Sequence, residues 1–321
     1  MHPPADPAAV EGPVGAAAGD WDIDALLDRM PSTSGTPRTV EDLPGGLTNR
    51  NLKVTTPAGC VVVRLSDNAT TSLLSIDRDN EHVNTVAAAT AGVGPPVVDY
   101  LPGEGVLVVG YLDGRTLRDA DLADPRNLTR VADACRTLHG GPRFRDDFDM
   151  FTTQRRYLGI VRSHGFRLPP RYDEFAPAVE CIRKALAVRD DGTVPCNNDL
   201  LAENFVDDGD RIWIIDYEYS GNNDACFELG NIWSEASLPP ENLDELVTAY
   251  YARTLRNKIA RARLLGLMSK YGWTLWASIQ DSCSQQDFDF WSWGLEKYER
   301  AVAEFDGPEF EGLLREVQLA D

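Results

Sequence analysis

The sequence predicts an α+β protein of two lobes, a small sheet-rich one followed by a larger helical one. Three observations predict it. β-Branched runs broken by glycine turns fill the stretch before Asp113, and helical apolar spacing dominates from Arg118 onward. Between the later helices, a polar loop from Cys196 to Asn204 is followed by the apolar run Trp213-Ile214-Ile215, which delivers Asp216. The chain has 321 residues, of which 43% are apolar, enough for a sizeable core.

Taken in order, residues 1–20 are rich in Ala, Pro and Gly, with no basic start and no apolar core of signal-peptide length, and predict a disordered leader. The first lobe is assigned to 21–113. It opens with a short helix, because Trp21 to Met30 has helical apolar spacing and an acidic first turn. Leu43 to Asn51 is a polar, glycine-bearing turn between two β-like runs, the second from Leu52 to Thr56, and Ala58-Gly59 turns the chain into the buried-strand run Cys60 to Leu65. A helix starts in Ile76 to Val83 and continues through Ala89. Strands follow near Pro96 to Leu101 and Val106 to Tyr111, separated by the turn Pro102 to Gly105. The pattern changes from strand to helix across Leu112 to Leu117, so the second lobe is assigned to 114–321. Its helices are interrupted by the polar loop, by a strand over Ile212 to Asp216, and by Pro239-Pro240.

The formal net charge of −20 would repel a duplex or an anionic membrane surface, so nucleic acid is not expected as a partner and a cationic small molecule suits the chain better. Acidity alone also serves solubility. The six cysteines lie far apart and never form C-x-x-C, which argues against a zinc knuckle or a disulfide framework and fits reduced thiols in a cytosol. No segment approaches roughly 18 uninterrupted apolar residues, so no membrane span is expected.

Asp199 stands five residues before Asn204, and Asp216 follows an apolar run. Phosphoryl transfer needs such a set: one Asp engages the attacking hydroxyl, while an Asn and a second Asp supply hard oxygens to magnesium against the nucleotide phosphates. Alone, each reads as a loop or cap residue; joined, the pattern is specific. In the first lobe Arg64, on the Val-rich strand, is placed to neutralise phosphates, and Glu81 on the following helix is placed to hold its guanidinium in a bidentate pair. Gly45, Gly46, Thr48 and Asn49 offer a phosphate-facing turn. Near the C-terminus Trp273, Trp276 and Gln280 share a helix face, and Phe288, Phe290, Trp291, Trp293 and Tyr298 follow. Aromatic faces around one point attract a quaternary ammonium, with Glu235 a candidate counter-charge; ordinary helix packing accounts for most of these rings.

These residues resemble the choline and ethanolamine kinase family, bacterial choline-kinase-like members in particular, within the wider aminoglycoside phosphotransferase and protein-kinase-like fold. The likeness runs from about Leu43 to Phe305. It is carried by Gly45 to Asn51, Ile76 to Glu81, Leu138 to Phe144, the Asn198-Asp199 loop, Ile215 to Gly221, and the Trp273 to Gln280 helix with the aromatics after Asp287. The resemblance implies a protein-kinase-like fold with nucleotide bound between the lobes. It implies that Asp199 is the catalytic Asp, that Asn204 and Asp216 bind magnesium, that Arg64 with Glu81 serves ATP, and that Glu235, Trp273, Trp276, Phe288 and Trp293 border an amino-alcohol head group.

Two departures accompany it. The family's loop reads H-N-D, its His bracing the loop through backbone hydrogen bonds, where this chain has Asn197, whose amide can also donate and accept. After Glu235, the run Ala236 to Pro240 lacks an aromatic that some relatives bring to the ammonium site. The reading that results is an ATP- and Mg2+-dependent O-phosphotransferase acting on a small, cationic alcohol, choline or a related amino alcohol first, in the cytoplasm. GTP is an alternative donor. A phosphotransferase acting on a larger hydroxylated substrate, such as an antibiotic, and a nucleotide-binding pseudokinase are the alternatives; the oligomeric state is not given by sequence.

Overall fold

The computed structural model describes residues 21–43, 49–66, 73–74, 76–284 and 286–320. The leader expected at 1–20, and Gly45, Gly46 and Thr48 of the expected phosphate-facing turn, lie outside the described residues.

Helix α1 (Ile23–Leu27) is capped by Asp22, whose carboxylate accepts from the Ala25 N–H. Strands β1 (Thr39–Leu43), β2 (Asn49–Thr56) and β3 (Gly59–Ser66) pair antiparallel in succession. After α2 (Arg78–Ala91), β4 (Val97–Leu101) and β5 (Val106–Gly110) complete a five-stranded sheet in the order β1-β2-β3-β5-β4. The pleat then decides what each face does. Leu52, Val54, Val63, Leu65, Val106 and Val108 pack with Leu26, Leu27 and Met30 into one core. The alternate residues Val62, Arg64, Leu107 and Val109 line a cleft on the other face. Arg64 reaches the cleft because its strand neighbours Val63 and Leu65 are committed to the core.

Beyond Leu112 the elements are β6 (Arg115–Thr116), α3 (Asp119–Leu122), α4 (Pro125–His139), α5 (Met150–His164), α6 (Ala176–Ala187), β7 (Val194–Cys196), β8 (Phe205–Asp207), β9 (Ile212–Ile214) and β10 (Gly221–Asn223). The helices α7 (Ala225–Glu235), α8 (Pro240–Tyr251), α9 (Arg256–Cys283), α10 (Phe290–Phe305) and α11 (Phe310–Glu316) follow. Pro240 stands at the first position of α8, where a missing N–H costs nothing. Helix α9 is buried over most of its 28 residues and forms the centre of the helical part. No described helix is long and apolar enough to cross a membrane.

Four short strands, β6, β7, β8 and β10, are additions to the sequence expectation; at two or three residues each they carry no readable period. They position the site. β7 pairs with β10, and β6, β8 and β9 form a second small sheet. The 197–204 loop runs from the first sheet to the second and the 215–220 loop runs back, so the two face each other. The strand expected over Ile212 to Asp216 ends at Ile214. The Asn197 side-chain amide takes the carbonyls of Ile215 and Asp216, and Asp216 turns with φ 65°, which aims its carboxylate at Arg64 instead of along a ladder.

Helices α7 and α9 cross at Gly230 and Gly266. A Cβ added at Gly230 would stand 2.1 Å from the Ala262 carbonyl oxygen and 2.7 Å from the Gly266 nitrogen, both backbone atoms that cannot swing away. Gly230→Ala is therefore expected to destabilise the protein by about 1–3 kcal/mol, read as a lowered Tm, with an unchanged Tm counting against the close crossing.

Candidate active site

The polar loop is held from behind by side chains. The backbone N–H groups of Asn197 and Asn198 donate to the two oxygens of Glu228, each at 2.8 Å, and Glu228 is fully buried on α7. The Asp199 N–H donates to Asn197 Oδ1 at 3.1 Å, and the Leu200 N–H to Asn231 Oδ1 at 2.8 Å. A loop with no ladder partner thus has consecutive N–H groups satisfied, which fixes the Asp199 backbone. Asn198 adopts φ 70°, a conformation Asn tolerates better than most residues, and its amide ties the loop to the Tyr219 carbonyl at 3.0 Å. Asn197 joins the two facing loops: its Oδ1 accepts from Asp199, while its Nδ2 donates to Ile215 O at 3.1 Å and Asp216 O at 2.7 Å. The bracing expected of a histidine at this position is carried out by its amide.

Asn204 donates to the Asp199 carbonyl at 2.7 Å through Nδ2, which leaves its Oδ1 as a hard donor. Asn204, Asp216 and Glu203 line the sheet-side cleft, of about 360 Å³, and also a second cavity, of about 370 Å³. The donor set of Asn204 and Asp216 suits magnesium. Asp199 lines the second cavity, where burial first, and then the carboxylates of Glu235, Asp216 and Glu218, push its carboxyl well above the usual range.

Arg64 and Glu81 do meet, but not as the bidentate pair expected. Arg64 Nη1 lies 3.3 Å from Glu81 Oε1, while Nη2 is 2.5 Å from Asp216 and 3.1 Å from Glu218. The other oxygen of Glu81 is taken by Arg78 Nη1 at 2.7 Å, one helical turn earlier, and the same nitrogen reaches Glu218 at 3.0 Å. Asn49 was expected in a phosphate-facing turn. It is buried instead, its Nδ2 donating to Glu218 at 3.0 Å and its Oδ1 accepting from Ser66 at 2.7 Å, so its amide braces the charge cluster.

Trp273, Trp276, Phe288, Trp293 and Glu235 all line the second cavity, joined by Tyr219, whose hydroxyl accepts from Trp276 Nε1 at 2.7 Å. Trp276 and Trp293 meet edge to face at 5.6 Å, and Phe288 is exposed at the mouth. Tyr298 is not part of this wall; it packs on Tyr172 and Phe175. Gln280 is buried and does not line the cavity. Glu235 is ion-paired to Lys297, and both side chains are 3% exposed.

Sequence reading assigned no role to Arg78, Glu203, Glu218, Tyr219, Glu228, Asn231 or Lys297. Some left a local signal. Arg78 lies one helical turn before Glu81, Lys297 one turn after Trp293, and Glu228 is a charged residue within the apolar run Cys226 to Ile232.

The sequence model for choline/ethanolamine kinase matches residues 40–246. Protein LicA of Haemophilus influenzae is 30% identical over 260 residues, covering 76% of this chain and 94% of LicA. Ethanolamine kinase 2 of Mus musculus is 27% identical over 262 residues, 72% of this chain and 66% of that protein. The crystal structure of a choline/ethanolamine kinase family protein from Mesorhizobium loti superposes with a TM-score of 0.82 at 31% identity, covering 93% of this chain and 98% of its own.

Proposed function

The chain belongs to the choline/ethanolamine kinase family, phosphotransferases with an alcohol group as acceptor, and from that premise we propose that it transfers the γ-phosphoryl group of ATP to the hydroxyl of a small cationic amino alcohol, choline first. The observation that carries this reading is the shared wall. Glu203, Asn204 and Asp216 border both the sheet-side cleft and the aromatic cavity, with Asp199 on the cavity side. A nucleotide in the cleft would present its terminal phosphate at that wall, and a hydroxyl in the cavity would meet Asp199 there.

Asp199 orients the hydroxyl and takes its proton. Its backbone is fixed by Asn197 and Asn204, and its side chain lines the cavity. Arg64 lines the cleft and offers its guanidinium to the phosphates, held in place by Glu81, Asp216 and Glu218. Asn204 and Asp216 would hold magnesium, which offsets phosphate charge when bound. Trp273, Trp276, Phe288 and Trp293 shape a cavity near the lower end of the ligand-site range, which favours a small acceptor over a bulky one. The lobe division after Asp113 is supported by the sheet ending at Gly110 and by β6 pairing with β8. The six free cysteines support a reducing, cytosolic setting.

Nucleotide consumption should be measured with magnesium across choline, ethanolamine, an aminoglycoside and a nucleoside antibiotic. Turnover is expected with choline or ethanolamine. Turnover confined to the antibiotics, or absent with every acceptor, would overturn the proposal.

A further inference from the structure

Glu235 lines the aromatic cavity and is held by a lysine that does not line it. Its Oε2 pairs with the Lys297 ammonium, both side chains being 3% exposed, while its Oε1 is buried without a hydrogen-bond partner among the described residues. Lys297 projects from α10 one turn after Trp293, and its Nζ lies 4.0 Å from the centroid of the Trp293 indole. The lysine therefore touches both groups that a cationic head group would use, an anion and an aromatic face, without lining the cavity. A buried lysine is costly unless it is paired, and this one is paired to a single oxygen of a carboxylate that faces the acceptor.

We propose that Lys297 is a positioning residue for the acceptor: it holds Glu235 by Oε2 and seats the Trp293 ring, so that Oε1 and the aromatic face meet the ammonium head group in a fixed geometry. The inference rests on the amino-alcohol reading given above. Without Lys297 nothing holds Glu235 by Oε2 and the Trp293 ring loses the cation against its face, so carboxylate and ring no longer meet the head group in one fixed arrangement. The effect falls on acceptor binding, since Lys297 does not line the nucleotide cleft.

Steady-state kinetics with choline or ethanolamine, whichever the wild type uses, test it. Lys297→Met is expected to raise acceptor KM about tenfold or more, with KM for ATP within about twofold. Lys297→Arg, which keeps the charge, is expected to restore acceptor KM to within about threefold of wild type. In a Glu235→Gln background the loss of the lysine is expected to raise acceptor KM by clearly less than in the wild-type background, because only its contact with the Trp293 ring is then left to lose. An unchanged acceptor KM in Lys297→Met, or a full tenfold rise in the Glu235→Gln background, overturns the inference. Should Lys297→Met fail to fold, Lys297→Gln, which keeps a hydrogen-bond donor beside Glu235 without the charge, is read against the same limits for acceptor KM. Wild-type turnover of an amino alcohol reports separately on the function itself: without it the functional reading fails, and with it only the role of Lys297 is at stake.

Discussion

Asp199→Asn is expected to lower kcat by a factor of about 10²–10⁴ while ATP affinity stays within about twofold, the loss typical of a positioned proton acceptor. The substitution is close to isosteric and leaves the loop's hydrogen bonds in place, because those bonds use the Asp199 backbone N–H and carbonyl. Loss of rate then reports on the carboxylate alone. Burial and the neighbouring acids make the charged form of Asp199 costly to the fold, so the amide should leave Tm unchanged or raise it. Slow turnover with an intact Tm is the expected pair of results; full turnover removes Asp199 from the mechanism.

Asp216→Ala is expected to abolish the strengthening of ATP binding by magnesium, a loss above about 100-fold, since even the outer partners of a metal site are worth 10–100-fold. Calorimetric titration of ATP with and without magnesium measures it. In the wild type the two affinities should differ, and in the variant they should converge; an unchanged magnesium dependence rules out Asp216 as a ligand. Burial pushes the Asp216 carboxyl up to about 6, with Arg64 pulling the other way. A protonated carboxyl cannot ligate a metal, so magnesium-supported binding in the wild type should weaken as pH falls through about 6, by up to tenfold per unit below it, and hold above it.

The parts of the candidate site that lie close together in the chain were legible in the sequence. Asp199, Asn204 and Asp216 fall within one loop–strand–loop segment, and their spacing alone names the chemistry they suit. Arg64 was legible as the one charge on a Val-rich strand, followed by an acid on the next helix. Trp273 and Trp276 were legible through helical spacing, and Tyr298 and Gln280 show the limit of that signal: a helix face tells which residues turn together and not what they meet. The short strands β7, β8 and β10 were not legible, since three residues carry no period, although they bring the two loops face to face.

Partner choice was the other limit. Sequence order suggested that Arg64 and Glu81 would pair two by two. The fold shares Glu81 with Arg78, and shares Arg64 with Asp216 and Glu218. Asn49 reaches Glu218 across 169 residues and Lys297 reaches Glu235 across 62, separations over which no local pattern survives.

By itself, the sequence determined the family, the two-lobed α+β plan and the identity of the residues able to take a proton, hold a hard cation or present an aromatic face. These follow from side-chain chemistry and from the repeat of strand and helix. Tertiary structure alone decided which charges share a partner, that Asn197 joins the two loops, and that Glu235 meets its cavity already tied to Lys297. Those outcomes depend on which buried polar groups come within about 3 Å once the chain has closed, and burial makes each such pairing a requirement because an unpaired group there has no water to replace it.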